Sequence, residues 1–235
     1  MLELLKEQFD RIIVFDTETT GIDCKSDEII EIGLLEASFG EDKPQVLRKD
    51  DLLIRLSPGR TLPPFITELT GITQQMLDSE GVSKESAVQT LASYFTGGRT
   101  LLVAYNAQFD LCFLFYLLHS FGMAHLLKGI KMIDAMAIYK DRREYPHKLK
   151  NAIEAYGLSG ENTHRAVDDA EATLELLDAM ARECDDIHCY LNLFGYNPKY
   201  GVSGPRISSV RYVPQGYHET CKLYEKEPLL TSGMR

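Results

Sequence analysis

The chain has 235 residues, 44% apolar and 26% charged, with a formal net charge of −10. That make-up excludes a disordered chain and argues against a protein that grips nucleic acid by charge alone. The longest apolar run, residues 111–118, is far too short to cross a bilayer, and five cysteines without CxxC spacing argue against a disulfide scaffold or zinc ribbon.

The first ten residues mix acids and bases among leucines and contain no apolar h-region, so no signal peptide is expected and the expected location is the cytoplasm. Charge is unevenly spread. Residues 128–150 carry about +4, from Lys128, Lys131, Lys140, Arg142, Arg143, Lys148 and Lys150 against three acids. Residues 160–194 carry about −7. Each stretch reads either as a solvated helix face or as part of an acidic centre with a basic rim.

In chain order, residues 11–16 form a short β-rich run, and 28–39 and 47–56 predict two more strands. A turn follows at 57–60. Helices are expected over 63–69, 73–77 and 83–95, the last ended by Gly97-Gly98. A buried strand over 101–105 leads into a helix over 107–121, with Asn106 as its N-cap. A fifth strand at 130–133 precedes helices at 135–140 and 148–156, and a long helix runs from about 165 to 183. Three strands followed by helices alternating with two more strands predict a mixed α/β layer. From residue 195 the composition turns to Gly, Pro, Ser and Tyr, so 1–194 reads as one domain. Residues 195–235 read as an irregular or short-stranded extension packed on it.

Several acids fall where side chains should face the core. Strand alternation puts Asp16 and Glu18 on the face of Ile12 and Val14, about 6–7 Å apart along the strand. On spacing alone they fit a polar strand end as well as a pair bracketing metal ions. In the helix after Asn106, Asp110 continues the stripe of Phe113, Leu114, Leu117, Leu118 and Phe121. It is either a first-turn acid favoured by the helix dipole or an inward ligand. In the last helix Asp169 groups with Thr173, Leu176, Leu177 and Met180, whereas Asp168 groups with Glu171, Glu175 and Asp178, so periodicity turns Asp169 inward and Asp168 to solvent. Two carboxylates about 4 Å apart repel by roughly 4 kcal/mol at an effective dielectric of 20. Two divalent cations would cancel four such charges, and oxygen ligands favour Mg²⁺ or Mn²⁺ over zinc.

The runs Val14–Gly21 (VFDTETTG), Asn106–Asp110 (NAQFD) and His164–Asp169 (HRAVDD) resemble the three motifs of the DEDD exonucleases. Histidine five residues before the final Asp is similar to the DEDDh branch, which includes the proofreading epsilon subunit of bacterial DNA polymerase III. The resemblance implies a ribonuclease H-like α/β fold, a five-stranded mixed sheet flanked by helices. It implies that Asp16, Glu18, Asp110 and Asp169 hold two Mg²⁺ or Mn²⁺ ions and that His164 acts as general base. The implied activity is 3′→5′ exonucleolytic release of nucleoside 5′-monophosphates from single-stranded DNA, in proofreading or repair. Tyr105 departs from the pattern, standing where many relatives carry histidine.

Implied substrate contacts come from Thr17, Thr19, Thr20 and Asn106 beside the ligands. Leu69–Ile72 resembles a loop that stacks on terminal bases through Thr70, Gly71 and Ile72; it reads equally as a helix C-cap with Gly71 as the stop. Phe109 either walls the nucleotide pocket or packs on the core. Arg142, Arg143, Lys148 and Lys150 are candidates for steering phosphates. Residues 190–194 (YLNLF) resemble a peptide that docks on the sliding clamp, which with a polymerase is the partner this reading names; buried aliphatics explain the segment as well. Two rivals share the fold: an exoribonuclease trimming RNA 3′ ends, and a non-catalytic polymerase-associated module.

Overall fold

The computed structural model describes residues 2–160, 163–217 and 221–226. After a one-turn helix α1 (Glu3–Lys6), the chain forms β1 (Arg11–Thr19), β2 (Ile29–Ser38) and β3 (Gln45–Leu53). Then come α2 (Pro64–Thr70), α3 (Gln74–Ser79), α4 (Lys84–Phe95), β4 (Thr100–Ala104) and α5 (Ala107–Ser120). The core domain closes with β5 (Lys131–Asp134), α6 (Ala135–Arg142), α7 (Leu149–Tyr156) and α8 (Ala166–Glu183). Two short strands, β6 (Leu193–Tyr196) and β7 (Arg211–Pro214), follow.

The large sheet has the order β3-β2-β1-β4-β5, with β1–β2–β3 antiparallel and β4 and β5 parallel to β1, which is the mixed five-stranded sheet expected. Each face is covered. Ile12, Val14, Leu101 and Val103 pack against Val167, Ala170, Leu174 and Leu177 of α8, while Ile13, Phe15 and Leu102 pack against α4 and α5. Sandwiching makes the β1 and β2 side chains apolar on both sides, so an acid within them must be paired or functional. Strand order changes direction beside β1, and the carboxyl ends of the parallel pair β1 and β4 lie side by side, with α5 beginning directly after β4.

Two local features differ from the sequence reading, and the extension takes the short-stranded form. Asn106 does not cap α5 with its side chain; it adopts a left-handed backbone (φ 65°). Phe121, placed in the α5 stripe, is exposed, because the helix stops at Ser120 and the chain turns away through Gly122. The extension holds a two-stranded parallel sheet, β6 with β7, wrapped around the β5 edge. There Asn192 donates its amide to Met132 O, and its side chain bonds Met132 N, Ile130 O and Ser209 O. Residues 218–220 and 227–235 of that extension, and Glu161 of the acidic stretch, lie outside the described residues. Among the described residues no helix is long and apolar enough to cross a membrane.

Candidate active site

β1 ends in Asp16-Thr17-Glu18-Thr19, and alternation decides where each side chain goes. Asp16 and Glu18 continue the Ile12/Val14 face toward α8, whereas Thr17 turns toward α5. Asp169 reaches the same spot from the buried face of α8 and is 5% exposed. Glu18, His164 and Asp169 present ligand atoms all within 4.8 Å of one another. Asp168 stays half-exposed and accepts a 2.8 Å bond from Thr163 Oγ1, as helical periodicity requires. Asp110 enters from the first turn of α5, 2% exposed, and its Oδ1 accepts a 2.7 Å bond from the Thr17 hydroxyl.

These acids feel one another. Burial, then the charges of Asp110, Asp169 and Glu18, push the Asp16 carboxyl well above its ordinary range. Burial and then Asp169 push Glu18 up to about 8. Burial raises Asp110 to about 7 against the lowering effect of its Thr17 bond. A cluster of carboxylate oxygens beside one imidazole, with burial and mutual repulsion raising Asp16, Glu18 and Asp110, fits hard divalent cations, whose charge would remove the repulsion.

Two buried residues overlooked in the sequence hold this site together. Glu31, fully buried and opposite Glu18 in the β1–β2 register, accepts 2.8 Å bonds from Arg165 Nε and from the Ala166 amide at the start of α8. A carboxylate there meets the positive end of the helix and clamps its first turn to the sheet. Arg165 also pairs with Asp51 of β3 at 3.1 Å. Gly33, opposite Asp16, lets that helix approach: a Cβ there would meet Ala166 C and Val167 N at 2.3 Å. His164 precedes the helix with φ 57°, a left-handed turn that brings its ring back over Glu18 and Asp169. On the other side Asp134, at the end of β5, accepts the Asn106 amide at 3.0 Å and the Met136 amide at 3.1 Å, so a buried acid shapes the turn into α5. The signals were there to read: an acid inside the apolar run 29–35, and an acid closing a strand before Ala-Met-Ala.

Several residues expected to contact substrate also have partners inside the fold. The hydroxyls of Thr17, Thr19 and Thr20 are engaged by Asp110, Gly21 O and Asp27, and all three residues are buried, so their side chains order the loop. In 69–72 a C-cap is formed: Gly71 is left-handed at φ 73°, Thr70 bonds back to Ile66 O and Ile72 is buried, with Leu69 exposed. Phe109 is half-buried with its ring 5.1 Å from Phe113, and Asn106 is exposed. Arg142 is no steering residue; its guanidinium is buried on Asp186, Glu183 and the Met180 carbonyl. Arg143 pairs with Glu183 at 2.8 Å and covers Tyr156. Lys148 and Lys150 remain exposed. Tyr190, Leu193 and Phe194 are core residues and Leu191 is half-buried, so most of the clamp-like segment is taken up by the fold. Tyr105, the departure from the motif, is buried and donates 2.8 Å to the His147 carbonyl.

The exonuclease family model RNase_T matches residues 13–177, the span that contains all five residues. The chain belongs to the exonuclease family. Within it, the chain is 33% identical over 175 residues to the DNA polymerase III subunit epsilon of Treponema pallidum, covering 71% of this chain and 74% of that protein. It is 37% identical over 202 residues to a PolC-type DNA polymerase III of Clostridium perfringens, covering 83% of this chain but only 13% of that much longer protein. In three dimensions it resembles E. coli exonuclease I in complex with a dA16 oligonucleotide, with a TM-score of 0.68 at 18% identity, covering 77% of this chain and 42% of that one. The exonuclease I of Methylocaldum szegediense scores 0.63 over 75% of this chain and 41% of its own. The architecture is that ribonuclease H-like α/β fold.

Proposed function

We propose that this chain is a metal-dependent 3′→5′ exonuclease that hydrolyses the terminal phosphodiester of single-stranded DNA and releases nucleoside 5′-monophosphates. The reading is carried by one observation: Glu18, His164 and Asp169 converge within 4.8 Å beside Asp16 and Asp110, acids drawn from three distant stretches of chain. Asp16, Glu18, Asp110 and Asp169 would hold two divalent cations, Mg²⁺ or Mn²⁺. When bound, such ions acidify water and stabilise charge developing on the phosphate. His164 takes the proton from the attacking water, its ring aimed at the carboxylates by the left-handed turn ahead of α8. Thr17 keeps Asp110 oriented, and Glu31 with Arg165 keeps Asp169 and His164 over β1.

The relatives support this reading: an epsilon subunit, PolC-type polymerases and an exonuclease I bound to an oligonucleotide. Association with a replicative polymerase, proofreading or repair, and residence in the cytoplasm belong to the same proposal; the five cysteines are free thiols, as a reducing compartment keeps them. The test is parallel digestion of end-labelled DNA and RNA, with 3′-recessed and 3′-overhanging duplexes and an EDTA control. Mononucleotides from single-stranded DNA with Mg²⁺ or Mn²⁺ are expected. Cleavage of RNA alone would replace the reading with an exoribonuclease. Inertness on every 3′ end with both metals would leave a non-catalytic module.

A further inference from the structure

An acidic centre repels the polyanion it is meant to cut, so a strand must arrive over a surface of the other sign. Residues 187–218 contain no Asp or Glu and carry Lys199, Arg206 and Arg211, in a chain of net charge −10. Most arginines elsewhere are answered locally, among them Arg11 by Glu36, Arg48 by Asp50, Arg99 by Asp10 and Arg142 by Asp186. Lys199, Arg206 and Arg211 form no ion pair with any described residue.

This acid-free segment is tied to the body at two points, one of them in the second motif. Gln108, two residues before Asp110, donates from Nε2 to Ser203 O at 2.6 Å and to Pro205 O at 3.1 Å, and its Oε1 accepts a 2.8 Å bond from Tyr212. At the other end Tyr217 lies parallel to the His147 ring, 5.9 Å between centroids and 6° between planes. The His147 carbonyl in turn accepts the Tyr105 hydroxyl, next to Asn106. The segment is therefore moored at the first turn of α5, two residues from Asp110, and at His147 ahead of α7. Between its moorings it exposes Tyr200, with Lys199 Nζ 5.1 Å from that ring, and Arg206 beside Tyr212; Tyr217 is 44% exposed with Tyr145 edge-on at 5.4 Å. Cations interleaved with open aromatic faces are what a single strand uses, phosphates on the former and bases on the latter.

We propose that residues 197–217 form the bank along which the single strand lies 5′ of the terminal nucleotide. Lys199 and Arg206 sit on its phosphates, and Tyr200 and Tyr217 sit against its bases. This rests on the reading of the acidic cluster as an exonuclease centre, and it assigns the extension a task that the family motifs do not cover.

The test uses the full chain with Lys199, Tyr200 and Arg206 replaced together by Ala, all three being exposed. Two substrates are compared with Mn²⁺: an oligothymidylate, and the p-nitrophenyl ester of thymidine 5′-monophosphate, which has no upstream strand. The preference for the oligonucleotide, as a ratio of kcat/KM values, falls by about tenfold, mostly through KM. The slope of log(kcat/KM) against log[salt] becomes shallower by about 1.4, the value for two lost single-strand phosphate contacts. The chain has no tryptophan, so Tyr217→Trp supplies a sole indole, whose emission is quenched when oligothymidylate binds. An unchanged substrate preference and salt slope, with unquenched indole emission, would overturn the proposal and leave the surface to a protein partner. If neither substrate is hydrolysed by the unaltered chain, the exonuclease reading fails on its own. Anisotropy of labelled oligothymidylate then still decides the strand contact: loss of binding in the triple variant upholds it, and equal binding ends it.

Discussion

Gly33→Ala is the smallest change that tests how the site is assembled. The new methyl group would sit 2.3 Å from Ala166 C and Val167 N and 2.4 Å from Ala166 O, all backbone atoms that no rotamer change can move. Ordinary contact starts near 3.4 Å, so about 1 Å of separation has to be found. β2 is hydrogen-bonded on both edges, with Asp16 opposite Gly33 on one side and Asp51 on the other, so the movement falls to the first turn of α8. Overpacking of this size costs about 3 kcal/mol, which in a chain of this length lowers Tm by roughly 6–12 °C. The same displacement carries Asp169 and His164 away from Glu18, and a 1 Å misplacement in a catalytic constellation costs about 100-fold in rate. Urea denaturation and turnover on a labelled single strand read both effects. A variant with wild-type Tm and wild-type turnover would refute the claim that the close approach of α8 to β2 builds the site.

The two neighbouring acids of α8 separate by burial. Asp169→Asn is expected to abolish turnover and Asp168→Asn to leave most of it, and equal losses in a single-turnover assay would show that the helix face was misassigned. Adding Mg²⁺ or Mn²⁺ should raise Tm, equivalent to about 2.7 kcal/mol at 100 times the dissociation constant; absence of a shift in scanning calorimetry at millimolar metal would count against an ion site. Arg142→Ala leaves Asp186 buried without its cation and should cost about 3 kcal/mol in urea, yet leave the salt dependence of strand binding unchanged. Burial pushes Glu28 up, but its bonds from Lys84 and the Ser57 amide outweigh that and hold the carboxyl below its ordinary 4.5. Its contribution is present above the unfolded pKa and is lost as pH falls through the lower folded value. Glu28→Gln should therefore destabilise by about 1–2 kcal/mol at pH 7, and the difference should shrink in denaturation series taken below about pH 4.

Local periodicity was sufficient for the elements and for the acids that belong to them. The strands at 11–19, 29–38 and 100–104 and the helices at 84–95, 107–120 and 166–183 fall close to where alternation and the 3.6-residue stripe put them. The same arithmetic separated Asp169 from Asp168, because each helix face is a property of neighbouring residues alone. Four acids and a histidine in three spaced motifs carried the family, since their order along the chain survives without coordinates.

What periodicity cannot reach is any partner distant in sequence. Glu31 is a single charge in an apolar strand, and only the pairing of β2 with β1 and the start of α8 above it, 135 residues later, give it partners. Arg142 looked like a free cation until Asp186 closed on it, and Leu193 and Phe194 looked like a docking peptide until the β5 edge covered them. The threonine hydroxyls of β1 were equally ambiguous, because whether a hydroxyl faces substrate or a buried carboxylate depends on which helix arrives there. Alternation and helical stripes are short-range and so are written in the order of residues. Charge pairing, burial and close backbone approach join segments far apart along the chain, and they acquire a value only when the packed layers bring those segments into contact.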